Sequence, residues 1–239
     1  MAARPKTAQP VNFYTVIGKK YQTPQKQYAN YERYHISIPS RILICGKTGS
    51  GKTSTLMNFV FGMACWTRVY LIAKNLEEPL YAWMIDEFRK IEARLGTEIL
   101  MVSTTLDDLP DESEFDKKQT NLVIIDDQIN EKDKALAKVA AFWTQGRKRE
   151  ITSVFITQSY FKCPAKLRQN SDYFVFKNML KRDLKLILSE FTMDHTVDEL
   201  MEMYKACQTT RVDSFFMIDT LSPGTEWEFR KNFEPIDEE

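Results

Sequence analysis

The sequence lacks the apolar segments that membrane-spanning and secreted proteins carry. No apolar run approaches the roughly 20 residues that a helix needs to cross a bilayer. Residues 1–10, MAARPKTAQP, are polar and do not contain the apolar core of a secretory signal. We therefore expect a soluble, intracellular protein without a membrane-spanning segment.

Histidine is scarce and cysteine is scattered along the chain. The two histidines, His35 and His195, have no metal-binding residue at a useful spacing, which argues against a zinc site or a histidine-based catalytic triad. The four cysteines form no C-x-x-C pair, and we expect reduced, partly buried thiols. They are Cys45, Cys65, Cys163 and Cys207.

Net charge is absent as well, because 33 lysine and arginine residues balance 33 acidic residues. No overall electric field draws such a surface to nucleic acid, so any contact with a polyanion must be a local patch. The 239 residues suffice for one α/β domain of ordinary size with a few extensions, and no internal repeat stands out.

The most informative stretch is residues 41–55, RILICGKTGSGKTST, in which an apolar run leads into a glycine-rich loop. Gly46, Gly51, Lys52 and Thr53 fill every fixed position of the phosphate-binding pattern G-x-x-x-x-G-K-[ST]. Glycines let backbone N–H groups approach phosphates, Lys52 places a cation at the β- and γ-phosphates, and Thr53 offers its hydroxyl to Mg²⁺. The predicted nucleotide-binding residues are Gly46, Lys47, Thr48, Gly49, Ser50, Gly51, Lys52, Thr53 and Ser54.

A second part of the site is predicted where the apolar strand at residues 121–127 ends in Asp126 and Asp127. A carboxylate at a strand end beside a phosphate loop can hold Mg²⁺ through water, and we assign that role to Asp126. Asp127 can polarise an attacking water, which favours hydrolysis over transfer to a small acceptor. The alternative is that both aspartates only cap the next segment.

A third part is predicted at Gln158, directly after the apolar strand at residues 152–157. The carboxyl ends of parallel strands gather the ligands of a doubly wound sheet, so an amide there can bond to the γ-phosphate or to the lytic water. Two strands lie between the glycine loop and the acidic strand. This spacing supports the ATPase group that inserts an extra strand between them.

A short basic turn, which contains Arg147 and Arg149, precedes the Gln158 strand. A guanidinium supplied to the nucleotide of a neighbouring subunit stabilises charge that develops on the γ-phosphate. We favour Arg147, because it directly follows the turn glycine, Gly146. The alternative is that both arginines are solvated loop residues.

The order of the predicted elements indicates a fold. Strands alternate with helical segments, which predicts right-handed βαβ units and a three-layer α/β fold with a mostly parallel central sheet. Residues 214–219 and 226–232 are typical of a closing C-terminal β-hairpin. We predict an amino-terminal arm at residues 1–39 and a P-loop domain at 40–239, with C-terminal helices and the hairpin from about residue 180. A helix over residues 79–95 is predicted to face inward through Leu80, Trp83, Met84, Glu87, Phe88 and Ile91.

With these motifs assembled, the sequence resembles the FtsK/HerA superfamily of DNA-pumping ATPases, and most of all the poxvirus-type genome-packaging ATPases of large DNA viruses and virophages. Three blocks within residues 40–180 carry the resemblance: GKTGSGKT at 46–53, LVIIDD at 122–127 and GRKREITSVFITQ at 146–158. Many relatives carry Glu where Asp127 stands, and His often follows the turn arginine where Lys148 stands here.

The resemblance implies a RecA-like P-loop ATPase that binds ATP and Mg²⁺ and forms a homo-oligomeric ring of five or six subunits. Such a ring drives double-stranded DNA into a preformed capsid, so the implied partners are DNA, further copies of the chain and a capsid or portal component. The implied location is the host cytoplasm, a virus factory or the virion.

A packaging motor should grip phosphates without reading bases. We predict Lys132 and Lys134 as DNA contacts, with solvated helix faces as the alternative. The rival basic patches are Lys162, Lys166 and Arg168, or Lys177, Lys181, Arg182 and Lys185.

Two other functions remain open from the sequence. A P-loop phosphotransferase acting on a small acceptor would be monomeric or dimeric and would need no arginine from a neighbour. A nucleotide-gated binding or scaffold protein would hydrolyse ATP too slowly to do work.

Overall fold

One sheet of nine strands runs through the part of the chain that the structure describes. The structure is a computed structural model, and it describes residues 27–128, 133–192, 194–208 and 213–236. In chain order the strands are β1 (Arg41–Gly46), β2 (Arg68–Ala73), β3 (Leu100–Ser103), β4 (Asn121–Asp126), β5 (Ile151–Thr157), β6 (Tyr173–Lys177), β7 (Phe216–Asp219), β8 (Phe229–Lys231) and β9 (Glu234–Pro235). Across the sheet the order is β3-β2-β4-β5-β1-β6-β7-β8-β9. Neighbours from β3 to β6 are parallel, and the pairs from β6 to β9 are antiparallel.

The parallel strands are mostly apolar because both faces of the sheet are covered. Every residue of β5 and β6 is buried. Alternate residues of β4 face opposite sides, so that Val123 and Ile125 join one core cluster while Leu122 and Ile124 join the other. The predicted three-layer fold with a mostly parallel sheet is confirmed.

Helices cover both faces of this sheet. They are α1 (Tyr31–Tyr34), α2 (Lys52–Met57), α3 (Pro79–Leu95), α4 (Asp133–Gln145), α5 (Ala165–Asn170), α6 (Lys181–Leu188) and α7 (Val197–Cys207). α2 continues as a π-helical turn at Asn58–Gly62, and it shares a core cluster with α3, whereas α4 to α7 pack on the opposite face. Among the described residues, no helix has both the length and the apolarity of a membrane span.

The position of β5 tests the expectation drawn from the spacing of the motifs. β5 pairs with β1 on one side and with β4 on the other, so it separates the strand before the glycine loop from the strand that ends in the two aspartates. This is the inserted strand that the spacing of the motifs predicts. The carboxyl ends of β1, β4 and β5 lie side by side at one edge of the sheet.

The inward face of α3 differs from the prediction at one residue. The helix spans the predicted residues, and Met84 and Phe88 are buried. Trp83, which was expected to face inward, is 47% exposed and packs at the rim against Phe61, with 4.9 Å between ring centroids. Tyr81 is buried instead, because residues three and seven positions apart, 81, 84 and 88, share one side of a helix.

The C-terminal hairpin is confirmed, since β7 and β8 pair antiparallel, and β9 adds a short strand that the sequence did not predict. A buried ion pair between Arg230 of β8 and Asp219 of β7 ties this hairpin together. Arg230 also donates to the backbone carbonyls of Tyr34 and His35 at 3.3 and 3.0 Å. The hairpin is thus bonded to the segment that precedes β1.

The described part of the predicted arm, residues 27–39, contributes to the core. Tyr28, Tyr34, Ile36 and Ile38 are buried in the cluster that also holds Ile42 of β1. Within the predicted arm the structure has the short helix α1. Residues 1–26 lie outside the described residues, and the division at residue 39 stays a prediction.

Candidate functional site

The loop between β1 and α2 has the backbone geometry of a phosphate cradle. Gly49 and Gly51 adopt φ angles of +69° and +83°, which residues with a Cβ rarely adopt. A Cβ on Gly46 would stand 2.3 Å from the Lys177 carbonyl oxygen and 2.8 Å from the Ser50 Oγ atom. All three glycines are therefore required by local geometry, and residues 47–51 present backbone N–H groups at the amino end of α2.

Lys52 folds over the loop from the first turn of α2. Its Nζ donates to the carbonyl oxygens of Gly46 at 2.9 Å and of Lys47 at 3.0 Å. Burial lowers the pKa of Lys52, and the nearby charge of Asp126 opposes that shift. The cation thus lies inside the concavity of the loop, where the oxygen atoms of a phosphate are better acceptors than neutral carbonyls.

Asp126 stands at the carboxyl end of β4 and is held by a residue that the sequence did not single out. The hydroxyl of Tyr81 donates to Asp126 Oδ2 at 2.7 Å. Burial is the main cause that raises the pKa of Asp126, and the charges of Asp127 and Glu78 raise it further, while Tyr81 and Lys52 lower it. Burial raises the pKa of Tyr81, the charge of Asp126 raises it further, and a hydrogen bond with Thr53 opposes the rise.

Gln158 joins the glycine loop to the second aspartate. Its Oε1 accepts a hydrogen bond from Thr48 Oγ1 at 2.9 Å, and its Nε2 donates to Asp127 Oδ2 at 3.5 Å. Asp127 adopts a φ of +53°, a left-handed conformation that is uncommon outside glycine and that turns the chain sharply after β4. The structure therefore brings together the ends of β1, β4 and β5, as the three motifs predict.

The residues at this edge fit a magnesium ion that is held jointly with a nucleotide. Glu78 Oε2 is buried and has no hydrogen-bond partner in the described part of the chain, and its charge acts on Asp126. Carboxylates concentrated in this way call for a cation. The described residues contain no group of three or more His, Cys, Asp or Glu side chains able to hold a metal alone. Mg²⁺ commonly takes one or two protein ligands together with water and phosphate oxygens, and Thr53 and Asp126 are the candidates here.

Lys177 supports the loop from the neighbouring strand. This fully buried residue donates from Nζ to Thr55 Oγ1 of α2 at 2.9 Å, and burial lowers the pKa of Lys177 to about 8. Because Lys177 is inside the protein, its place in one of the rival DNA patches is wrong. No sequence pattern pointed to this role, since a basic residue at a strand end is more often solvated.

Comparison with known proteins assigns the chain to a family. A family model described as "Poxvirus A32 protein" matches residues 29–222, a range that contains all three strand ends of the site. The chain belongs to the poxvirus A32 protein family. A search of curated protein sequences found no match.

Solved structures share the fold of this A32-family chain. The genome packaging NTPase B204 from Sulfolobus turreted icosahedral virus 2, in complex with sulfate, is similar with a TM-score of 0.58 and 13% identity, over 85% of this chain and 100% of that one. B204, the DNA-packaging ATPase from Sulfolobus turreted icosahedral virus, gives a TM-score of 0.54 and 16% identity, over 84% and 99%. The same Sulfolobus turreted icosahedral virus 2 protein in complex with ATP-gammaS has a TM-score of 0.53 and 14% identity, over 83% of this chain and 98% of that one. At these identities the likeness shows a shared P-loop NTPase fold.

The two arginines of the A32-family chain lie at the other edge of the sheet. Arg147 and Arg149 belong to the 3-10 turn at Gly146–Arg149, directly before β5, whereas Gln158 follows the end of β5. A strand of this length spans about 20 Å. Neither arginine is therefore brought to the glycine loop of its own chain. Arg147 and Lys148 instead line a surface cleft with Lys117.

The predicted DNA contacts of the A32-family chain lie at the start of α4. Lys132 is outside the described residues. Only the backbone of Lys134 is described, in the first turn of α4. Both residues stay predictions.

Proposed function

We propose that this chain is an ATP-hydrolysing motor that moves double-stranded DNA, and that it packages a viral genome into a preformed capsid. The observation that carries the proposal is the array at one sheet edge, in which Thr48, Gln158 and Asp127 are in contact and Lys52 and Asp126 lie beside them. Membership in the poxvirus A32 protein family and the fold shared with viral packaging ATPases support it.

Each residue of the array has a task in this hydrolysis. Residues 46–54 bind the phosphates of ATP through backbone N–H groups, and Lys52 neutralises the β- and γ-phosphates. Thr53 and Asp126 would hold Mg²⁺, which would supply neutralisation of the phosphate charge. Asp127 orients and polarises the attacking water. Gln158 contacts both the loop and Asp127, so it is placed to respond when the γ-phosphate leaves.

A ring of subunits completes the site in this proposal. Because Arg147 and Arg149 lie at the edge opposite the glycine loop, a head-to-tail arrangement of identical subunits brings them to the nucleotide of the next subunit. Arg147 then stabilises the charge on the transferring phosphoryl group. A ring of five or six copies encloses the duplex, which Lys132 and Lys134 contact through its phosphates, and docks on a capsid or portal component.

Turnover of ATP tests this proposal directly. The rate of phosphate release is measured in Mg²⁺ with and without long duplex DNA, for the wild type and for Asp127→Asn. The expected result is hydrolysis that duplex DNA stimulates, and loss of hydrolysis with retained ATP binding in Asp127→Asn. Active protein whose rate duplex DNA never changes would contradict the motor function. Active Asp127→Asn would contradict the assigned water-polarising role.

The phosphotransferase alternative gains no support from the fold. The inserted strand β5 lies between β1 and β4 and brings Gln158 to the array, which favours the ATPase group. Sizing in Mg²⁺ with a non-hydrolysable ATP analogue separates the two functions. A ring is expected for the motor, and a strict monomer at high concentration would favour the phosphotransferase.

A further inference from the structure

The Tyr81 hydroxyl lies against the proposed metal site but has no part in the hydrolysis described above. Tyr81 is 2% exposed, and its hydroxyl donates to Asp126 Oδ2 at 2.7 Å. The contact joins α3 to the end of β4 across 45 positions of the chain. It engages one oxygen of the carboxylate, Oδ2.

The anchor of this hydroxyl is rigid. Pro79 fixes the first turn of α3, and the backbone N–H of Tyr81 donates to the Glu78 carbonyl oxygen at 2.9 Å. One and two turns further on, Met84 and Phe88 are buried on the same side of the helix. A donor held so firmly fixes the orientation of the acceptor that it binds.

We propose that Tyr81 is a positioning residue of the magnesium site, which fixes one oxygen of Asp126 so that the other faces the water shell of the ion. The inference rests on the function proposed above. Groups that hydrogen-bond to a metal-binding carboxylate orient it, and their loss typically weakens metal affinity or activity by about 10- to 100-fold. Tyr81 does not touch the nucleotide in this proposal, so its effect appears only when the ion is bound.

A purely structural role is the competing explanation, and the chain offers a matched control for it. Tyr160 is also 2% exposed, and its hydroxyl donates to the Glu190 carboxylate at 2.6 Å. Glu190 lies after α6, away from the glycine loop. Tyr81→Phe and Tyr160→Phe therefore each remove a hydroxyl from an equally buried tyrosine. Only the hydroxyl of Tyr81 contacts a carboxylate of the proposed magnesium site.

The experiment measures binding rather than turnover. Affinity for a fluorescent non-hydrolysable ATP analogue is determined in EDTA, and Mn²⁺ affinity of the protein–nucleotide complex is determined by electron paramagnetic resonance. For Tyr81→Phe we expect nucleotide affinity in EDTA within about twofold of wild type and Mn²⁺ affinity weaker by about 10-fold or more. For Tyr160→Phe both affinities should match the wild type.

Stability is controlled within each variant. For each variant saturated with nucleotide, the unfolding temperature is measured with and without Mn²⁺, and the difference reports Mn²⁺ binding. A destabilised variant can therefore still be compared with the wild type. Unchanged or stronger Mn²⁺ binding in Tyr81→Phe would overturn the inference, as would an equal loss in both variants. A wild-type chain that binds no nucleotide would refute the proposed function itself, and with it this inference.

Discussion

At the scale of single residues, Gly46 has no room for a side chain. Its added Cβ would meet a backbone carbonyl at 2.3 Å, and that carbonyl belongs to Lys177 of β6, which is paired with β1 at this point. A flexible side chain can move aside, but a carbonyl in a sheet ladder cannot move without disturbing the strands. The loop therefore depends on this position before any nucleotide binds.

We expect Gly46→Ala to lower the free energy of unfolding by about 1–3 kcal/mol, the usual cost of overpacking, and to impair nucleotide binding. Gly146→Ala is the matched control, because its nearest neighbour would lie at 3.6 Å, an ordinary contact. Its unfolding free energy should change by less than about 0.5 kcal/mol. Denaturant unfolding of the wild type and the two variants measures the change in unfolding free energy for each substitution. Equal losses of unfolding free energy in the two variants would contradict the steric explanation.

Site residues could be predicted from the sequence where they belong to a short motif. Lys52, Asp126 and Gln158 each end or follow a strand whose apolar run is visible in the sequence, and parallel strand ends meet at one edge. Tyr81 and Lys177 could not be found in this way. Their contacts with Asp126 and Thr55 span 45 and 122 positions, and they depend on how α3 and β6 pack in space.

At the scale of elements, Arg230 pairs with Asp219 inside the C-terminal hairpin and also bonds the hairpin to the segment before β1. Arg230 and Asp219 are each 1% exposed, and Arg230 also reaches the carbonyls of Tyr34 and His35. The Asp219 carboxylate further accepts from the backbone N–H of Leu221 at 2.9 Å. These bonds satisfy both charges only while the partners stay together.

We expect Arg230→Met to lower the free energy of unfolding by about 3–5 kcal/mol, because the Asp219 carboxylate is left buried without its cation. Lys205→Met is the control. It breaks the Lys205–Glu202 pair at 2.6 Å, whose side chains are 55% and 72% exposed, and should cost less than about 1 kcal/mol. Chemical denaturation measures both, and a small loss in Arg230→Met would show that the hairpin is held by other contacts.

Element types could be predicted where hydrophobic periodicity is strong. β4 and β5 contain the apolar runs at residues 122–125 and 154–156, and α3 begins at a proline and ends before Gly96, whose φ of +66° suits a helix end. β9 has two residues, too few for any period to show. Trp83 was placed inward because its position fits the spacing of one helix face, and only the packing at the rim reveals that it lies outside the core.

At the scale of the whole molecule, the glycine loop lies at the carboxyl ends of the parallel strands and the two arginines lie at their amino ends. The glycine loop follows β1, while Arg147 precedes β5, which is parallel to β1 and next to it. In the proposed assembly the arginine end of one subunit meets the nucleotide end of the next, and such head-to-tail contacts close into a ring when the rotation between subunits closes. The fold thus supports completion of the site by a neighbour.

Mixing two inactive variants tests whether Arg147 acts in this way. We expect Arg147→Ala and Asp127→Asn each to lower turnover by about 10³-fold or more in homogeneous rings. In an equal mixture of the two, about a quarter of the interfaces join an intact Asp127 to an intact Arg147 of the neighbour, if subunits assemble at random across head-to-tail contacts. Phosphate release from the mixture should therefore recover far above that of either variant. An arginine acting within its own chain gives no such recovery, since each subunit then lacks one of the two groups. Repeating the mixture with Arg149→Ala identifies which arginine is responsible, because only the residue that reaches the neighbouring nucleotide is both essential and complemented by Asp127→Asn.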